Sequence, residues 1–458
     1  MGSDIRTHEF RITELDNDGI PSAIYEIDSA TAQVEKRLPQ RSIPSTSLSI
    51  LQKCISPFLP AGYPSTVTPD YTPYQIWDSL QAFASTIAGL LASRAVFVGM
   101  GVGSEDASLV TTMLLYIAQE TIGRVATILF AHRFSQRIEA EVKFYRFFAD
   151  IVNDIAFVLD CMSPAMPLFA RVLTLCVSNA CRAMCGVAGG SSKAILSSHF
   201  ARAGNIGELN AKDGSQETVI SLVGMWAGGL VVSKVHGTKA TWCLLVPLLV
   251  LHLWANWQAV NSVRLKSLNH ERATIFFTSF VEGRILTPDE VGESESVLRR
   301  NDRGMDIRVG LDLNSFLQFM QSSFLGESGS FREFKNVVDV FAKEDYLLWV
   351  DSKRRIGALM LKETATAETQ VKGFWQLVLC LHGNLALTED LKGKRESSFA
   401  QSEALDALVS SLHRTHEEWH KLRSQAQQVG WDLDATNLIK GHGHRIRVEI
   451  AVEDKKDK

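Results

Sequence analysis

Two aspartates one helical turn apart, Asp150 and Asp154, sit inside the mostly apolar run FYRFFADIVNDIAFVLD. At i,i+4 spacing they share a helix face, and carboxylates in an apolar setting can relay protons or hold a cation. The same half of the chain carries Glu120, Arg124, Arg171 and Arg182 within apolar stretches. If those stretches lie in lipid, all six charges must face one another or a wet cavity. Paired structural charges inside a helical bundle satisfy the same rule, so the pattern admits a functional and a structural role equally.

Three other motifs suggest chemistry. HEEWH (416–420) has the histidine spacing of a zinc hydrolase, in which two histidines bind the metal and the glutamate activates water. It lies on an apolar helical stripe with Leu405, Leu408, Val409, Leu412 and Trp419, and Glu417 points away from that stripe. GVAGGSSK (186–193) resembles a phosphate loop but lacks the closing Gly-Lys-Ser/Thr. Its small residues suit close helix packing, and with Lys193 it could hold an anion. Lys212 has the amine that forms adducts with carbonyl compounds, but its surroundings mark no pocket and favour a loop charge. Seven scattered cysteines include Cys176, Cys181 and Cys185, without a CxxC pair or a ligand histidine beside them. Buried thiols are expected there, with no metal centre.

AKDGSQE (211–217) separates two apolar segments. Asp213 and Gln216 are three apart, so the spacing predicts a helix start with Asp213 as N-cap and Gln216 closing a capping box.

The elements that must position these residues are long and apolar. A bilayer takes about 20 mostly apolar residues to cross. Ala240–Val263 contains no Asp, Glu, Lys or Arg and has Trp242, Trp254 and Trp257 toward its ends, where interfacial aromatics belong. Ser79–Gly103, Ala107–Ala131, Phe144–Met162, Ala165–Gly190 and Thr218–Ser233 are further candidates. Six crossings put Arg133, Arg137, Lys143, Lys193, Arg202, Lys212, Arg264 and Lys266 on one side, and only Lys234 and Lys239 on the other. The excess of basic residues predicts both termini on the cytosolic side. A large soluble helical domain is the alternative. A net charge of −4 speaks against a nucleic-acid partner. The first residues, MGSDIRTHEF, have no apolar core, so no secretory leader is expected there.

The second half has ordinary soluble composition. Residues 286–330 read as a charged, glycine-containing linker with a short helix near Leu313–Gln321. Tyr346–Asp351 and Ile356–Lys362 predict a strand pair, Thr366–Leu387 and Ser402–Val429 helices, and Arg445–Val452 a last strand. A small α+β domain with helices against an antiparallel sheet follows. The tail EDKKDK is expected to be disordered.

Four blocks carry a family resemblance: FLPAGYPSTVTPDYTPYQIWDSLQAFAS (58–85), FYRFFADIVNDIAFVLD (144–160), VAGGSSKAILSSHFARAGNIGELNAKDGSQET (187–218) and LHLWANWQAVNSVRLKSLN (251–269). With YLLWVDSKRRIGALMLKE and GWDLD further on, the chain resembles the root UVB sensitive (RUS) family. One departure stands in the second apolar segment: Gln119-Glu120 replaces the family's Lys-Asp pair and Ala126-Thr127 its Gly-Arg pair, with Arg124 nearby. The resemblance implies a membrane protein of vitamin B6 homeostasis, with no established reaction and with pyridoxal phosphate a ligand rather than a resident cofactor. It also draws His199 into the candidate binding set of Asp150, Asp154, Arg171, Arg182, Lys193, Lys212, Asp213 and Gln216.

The expected architecture is mainly α: a polar segment at 1–54, a membrane core of about six helices at 55–285, the linker, and an α+β domain at 331–458. The expected role is handling of a small metabolite by a transporter-like bundle, which requires Asp150, Asp154, Arg171 and Arg182 to lie together. The alternative is a non-catalytic scaffold whose protein partner, a family member or a B6-dependent enzyme, meets the loop at 199–217, with Lys212, Asp213 and Gln216 as contacts, or the C-terminal domain. An enzyme would need a pocket of convergent titratable groups and ranks third.

Overall fold

A computed structural model describes residues 10–15, 21–28, 33–37, 55–100, 109–202, 204–298, 303–323, 330–390, 397–439 and 443–449. The reading of EDKKDK as a disordered tail lies outside the described residues. The chain is mainly helical and divides into two compact units, Met1–Arg94 with Ala194–Ala255, and Ala95–Lys193 with Asn256–Lys458.

Six long helices follow one another: α1 Tyr71–Gly99, α2 Leu109–Ala140, α3 Val142–Met162, α4 Leu168–Phe200, α5 Ile206–Lys234 and α6 Thr238–Ser262. Four of them, α1, α2, α4 and α6, are long and apolar enough to cross a membrane. The other two differ from the six-span expectation for separate reasons. The charges of α3 lower its hydropathy, and it buries them: Lys143, Arg146, Asp150, Asp154 and Asp160 are all buried. The first turns of α5 are polar, and its apolar stretch begins only at Thr218.

In the first unit, α5 packs closely on α1. A Cβ on Gly224 would meet Thr86 Cβ at 2.9 Å, and one on Gly228 would meet Leu90 Cδ1 at 2.5 Å. This is a small-xxx-small contact of the kind that brings membrane helices together. Arg94, the basic residue in the apolar part of α1, donates to the carbonyls of Val232 (3.1 Å) and Val235 at the end of α5, where a helix leaves acceptors unsatisfied. The polar segment before residue 54 is not featureless. It forms an antiparallel sheet of β1 Phe10–Leu15, β2 Pro21–Asp28 and β3 Gln33–Arg37.

In the second unit, the short strand β4 Ser267–Asn269 leads into α7 His270–Val281 and α8 Pro288–Ser294. Next come β5 Asp306–Val309, α9 Leu313–Ser323, α10 Ser330–Val340, β6 Tyr346–Asp351 and β7 Ile356–Lys362. The last elements are α11 Ala367–Asp390, α12 Ser397–Gln428, β8 Asp432–Asn437 and β9 Arg445–Ile446. The stretch read as a linker therefore holds α8, β5 and α9, and β5 pairs with β7. The sheet is mixed rather than antiparallel: β6 runs antiparallel to β7, while β5 and β9 are parallel to it. Crossovers through α9, α10 and β6 permit that parallel pairing. Trp375, Tyr346, Phe374, Phe277 and Phe341 fill one core with α7 and the sheet.

Candidate functional site

The residues on α3 recur at three- and four-residue intervals, Lys143, Arg146, Asp150 and Asp154, and so make one stripe along the helix. Arg146 Nη1 lies 3.2 Å from both Asp150 carboxylate oxygens. From the end of α6, Asn256 Nδ2 donates to Asp150 Oδ2 at 2.5 Å and to the Arg146 carbonyl at 3.3 Å. A carboxylate with a guanidinium and an amide donor around it satisfies the rule that a buried charge must be paired. One turn further on, Asp154 is 6% exposed, and nearly three turns on, around the helix from this stripe, Asp160 is only 2% exposed. Arg182 of α4 donates to Asp160 and to Ser178 Oγ (2.8 Å). Cys185 lies within electrostatic reach of Arg146, Asp150, Asp154 and Arg182 together. Of the four residues expected to converge, Asp150 and Asp154 share one face of α3, and Arg182 is bonded to Asp160 of the same helix.

The fourth does not. Arg171 sits at the α3–α4 turn and donates to the carbonyls of Gly99, Ser163 (3.2 Å), Met166 (3.0 Å) and Pro164 (3.4 Å). It gathers unsatisfied helix-end carbonyls and belongs to the turn. Glu120 and Arg124 do not line an interior either. They pair with each other at 3.8 Å on the outer face of α2, with side chains 41% and 80% exposed. Sequence reading missed Arg146 and Asn256. Arg146 carried a usable signal, standing one turn before Asp150, whereas Asn256 is 106 residues away and only the fold brings it in.

A second polar cluster, in the first unit, contains the AKDGSQE phrase. The expected helix start at Asp213 is corrected: α5 begins at Ile206 with Asn205 at its N-cap, and AKDGSQE lies inside the helix. Gly204 takes the positive φ (70°) that ends the preceding turn, and Gly207 in the first turn does not prevent nucleation. Asp213 and Gln216, one turn apart, face α1 instead of the helix end. Gln75 Nε2 donates to Asp213 Oδ1 (2.6 Å) and Gln216 Oε1 (3.1 Å), and Gln216 Nε2 donates to the Phe58 carbonyl (2.6 Å). Lys212 Nζ donates to the Pro57 carbonyl at 2.5 Å, and Glu208 accepts from Ala61 N at 2.7 Å. His199 Nε2 lies 2.9 Å from Asp70 Oδ2, both nearly buried. These bonds hold the 56–70 segment against α4 and α5. They engage Lys212, Asp213 and Gln216 with residues 57, 58 and 75 of the same unit.

Lys193 is half-buried inside α4, as is all of GVAGGSSK. The backbone N–H groups of that stretch serve the helix, which removes the anion-loop reading; Gly189 instead lets α4 approach Ala149, 3.6 Å from where its Cβ would stand. In HEEWH, His416 meets Glu344 at 2.6 Å and Trp419 is buried.

Comparison with known proteins fits this arrangement to a family. A domain described as "Vitamin B6 photo-protection and homoeostasis domain" matches residues 44–284, and "Root UVB sensitive protein, C-terminal" matches 284–441. The chain belongs to the root UVB sensitive family. RUS family member 1 of Dictyostelium discoideum is 39% identical over 272 residues, 58% of this chain and 51% of that protein. Protein root UVB sensitive 3 of Arabidopsis thaliana is 34% identical over 251 residues, 54% of this chain and 57% of that protein. These two matches therefore span little more than half of either relative's length. The chloroplastic protein root UVB sensitive 2 of Arabidopsis thaliana is 22% identical over 87% of this chain and 85% of its own length. No solved structure matches the chain. Both polar clusters fall within the vitamin B6 domain, and the α3 stripe and the Asp213–Gln216 pair lie in the blocks that carry the resemblance.

Proposed function

We propose that this RUS-family chain is an integral membrane protein that moves a small metabolite of vitamin B6 homeostasis along the polar stripe of α3. The observation that carries the reading is that stripe: Lys143, Arg146, Asp150 and Asp154 are all buried, on a helix 21 residues long. Ionisable residues at membrane depth are costly and concentrate on ion and substrate paths. The family's vitamin B6 domain supports the substrate class. An even number of crossings, four or six, returns both termini to one side, which the basic connections assign to the cytosol. The role is transport rather than catalysis, and the lipid bilayer is the partner. The scaffold alternative placed its contacts on Lys212, Asp213 and Gln216 or on the C-terminal domain, and the bonds of the first three to Pro57, Phe58 and Gln75 count against the first of these surfaces.

Accumulation of labelled pyridoxine by liposomes holding the purified full chain tests the reading. Asp154→Asn removes a charge from the stripe without changing its shape and is expected to lower accumulation at least tenfold. Glu120→Gln, on the outer face of α2, is expected to leave it unchanged. Equal accumulation in both variants, or none with the unaltered chain, contradicts the proposal.

A further inference from the structure

Where α3 begins, the second unit has a partly open cavity of about 150 Å³. A cavity of that volume holds one six-membered ring. Its wall includes Lys143, Phe144, Asn269, Glu271, Glu295 and, at the rim, the exposed Leu298. The interior is set by a buried charge cluster. Glu295 receives Lys143 Nζ at 2.8 Å and Arg272 Nη1 at 2.6 Å, and all three side chains are at most 5% exposed. Arg272 Nε also donates to the Ser267 carbonyl at 2.6 Å. Asn269 is fixed at both ends of its amide, donating to the Ala140 carbonyl at 3.1 Å and accepting from Arg272 N at 2.9 Å.

Of the basic groups here, Lys143 and the buried His270 line the wall and Arg272 stands behind it. Lys143 and Arg272 both point at one carboxylate, and Arg264 is within electrostatic reach of Lys143 but not on the wall. Glu141 and Glu271 add two further carboxylates to the lining. Glu271 accepts from Ser296 N at 2.9 Å. Phe144, half-buried and stacked on Phe148 at 5.9 Å, adds apolar surface to the same wall. Such a wall favours a ring-sized ligand rich in hydrogen-bond donors, or cationic at a ring nitrogen, and disfavours a phosphate ester by repulsion from like charge.

We propose that this cavity binds an unphosphorylated vitamin B6-class ligand, a single substituted pyridine ring with hydroxyl or amine donors, and rejects its phosphate ester. The proposal rests on the vitamin B6 reading above and adds where on the chain, and in which form, the compound is recognised. Lys143 opens the cavity one turn before Arg146, so the site stands at the head of the α3 stripe.

The test is calorimetric titration of the detergent-purified full chain with pyridoxine and with pyridoxal 5′-phosphate. Leu298→Trp fills the rim from an exposed position, and Glu271→Gln keeps the acceptor for Ser296 N while removing the charge. Expected are pyridoxine binding at least tenfold tighter than that of the phosphate ester, and at least tenfold weaker pyridoxine binding in each variant. Absence of binding, binding that neither variant alters, or tighter binding of the phosphate ester overturns the site. Pyridoxine accumulation in liposomes reports separately on the transport reading, because it can persist when this titration fails.

Discussion

At the residue scale, the chain keeps its buried charges in closed groups, and the Lys143–Glu295–Arg272 cluster is the clearest case. Burial pushes the Glu295 carboxyl up, but Arg272 and Lys143 outweigh burial and bring it down from an ordinary 4.5 to about 2. A carboxyl with a depressed folded-state value contributes stability that is complete above its unfolded value and is lost as pH falls through the folded one. Thermal unfolding of the purified chain should therefore move to lower temperature as pH drops from 4.5 toward 2, and Glu295→Gln should flatten that part of the profile. Glu295→Ala leaves two buried cations without a counter-charge, which costs about 3–5 kcal/mol. An unfolding midpoint unmoved by Glu295→Ala would show that the cluster is hydrated and the cavity wall less rigid than its distances imply. The sequence displays such groups only in part. Asp150 and Asp154 were legible because they interrupt an apolar run at helical spacing. Glu295 sat in a charged stretch, GESES, where nothing marked it as buried.

At the element scale, the strongly patterned segments were the readable ones. β6 and β7 fall on the expected residues, and α1, α4 and α6 follow long apolar runs. Elements missed were those whose partner is distant or whose composition is polar. β1–β3 pair polar, alternating strands, and β5 is four residues of a charged stretch recruited by β7. Apolar surroundings also could not tell a lipid-facing charge from an inward one, so Glu120 and Arg124 were expected inside. The start of α5 was placed late because Gly204 and Gly207 read as loop, although Asp213 and Gln216 serve packing and not capping. The α1–α5 contact gives this scale its own prediction. Gly224→Val would drive a side chain into Thr86, 2.9 Å from its Cβ, with overpacking worth about 1–3 kcal/mol. Gly229→Ala, with no atom within 4 Å of the added Cβ, is the control and should be neutral or slightly stabilising. Thermal unfolding of both variants separates a close helix contact from a general intolerance of side chains in α5.

At the scale of the whole molecule, the decisive property is what covers the apolar faces. Large side chains stand outward along several helices: Leu114, Ile117, Ile128 and Leu129 on α2, Phe169 and Leu173 on α4, Leu222, Trp226 and Leu230 on α5, and Val246 and Val250 on α6. Phe169 is 84% and Trp226 76% exposed. A soluble monomer rarely leaves contiguous apolar surface of this kind uncovered, whereas lipid covers it at no cost and requires only that backbone groups be satisfied within each helix. The exposed Glu120–Arg124 pair on α2 sits poorly in hydrocarbon, and pairing at i,i+4 reduces its cost. The prediction is retention of the full-length chain in the pellet when membranes of expressing cells are washed with alkaline carbonate, and release only by detergent. Chain that leaves the pellet with carbonate and runs as a monodisperse species in plain buffer would mean that another protein surface or a second copy covers these faces. The α3 stripe would then be a structural ion-pair core, and its aspartates would lose their claim to a transport path.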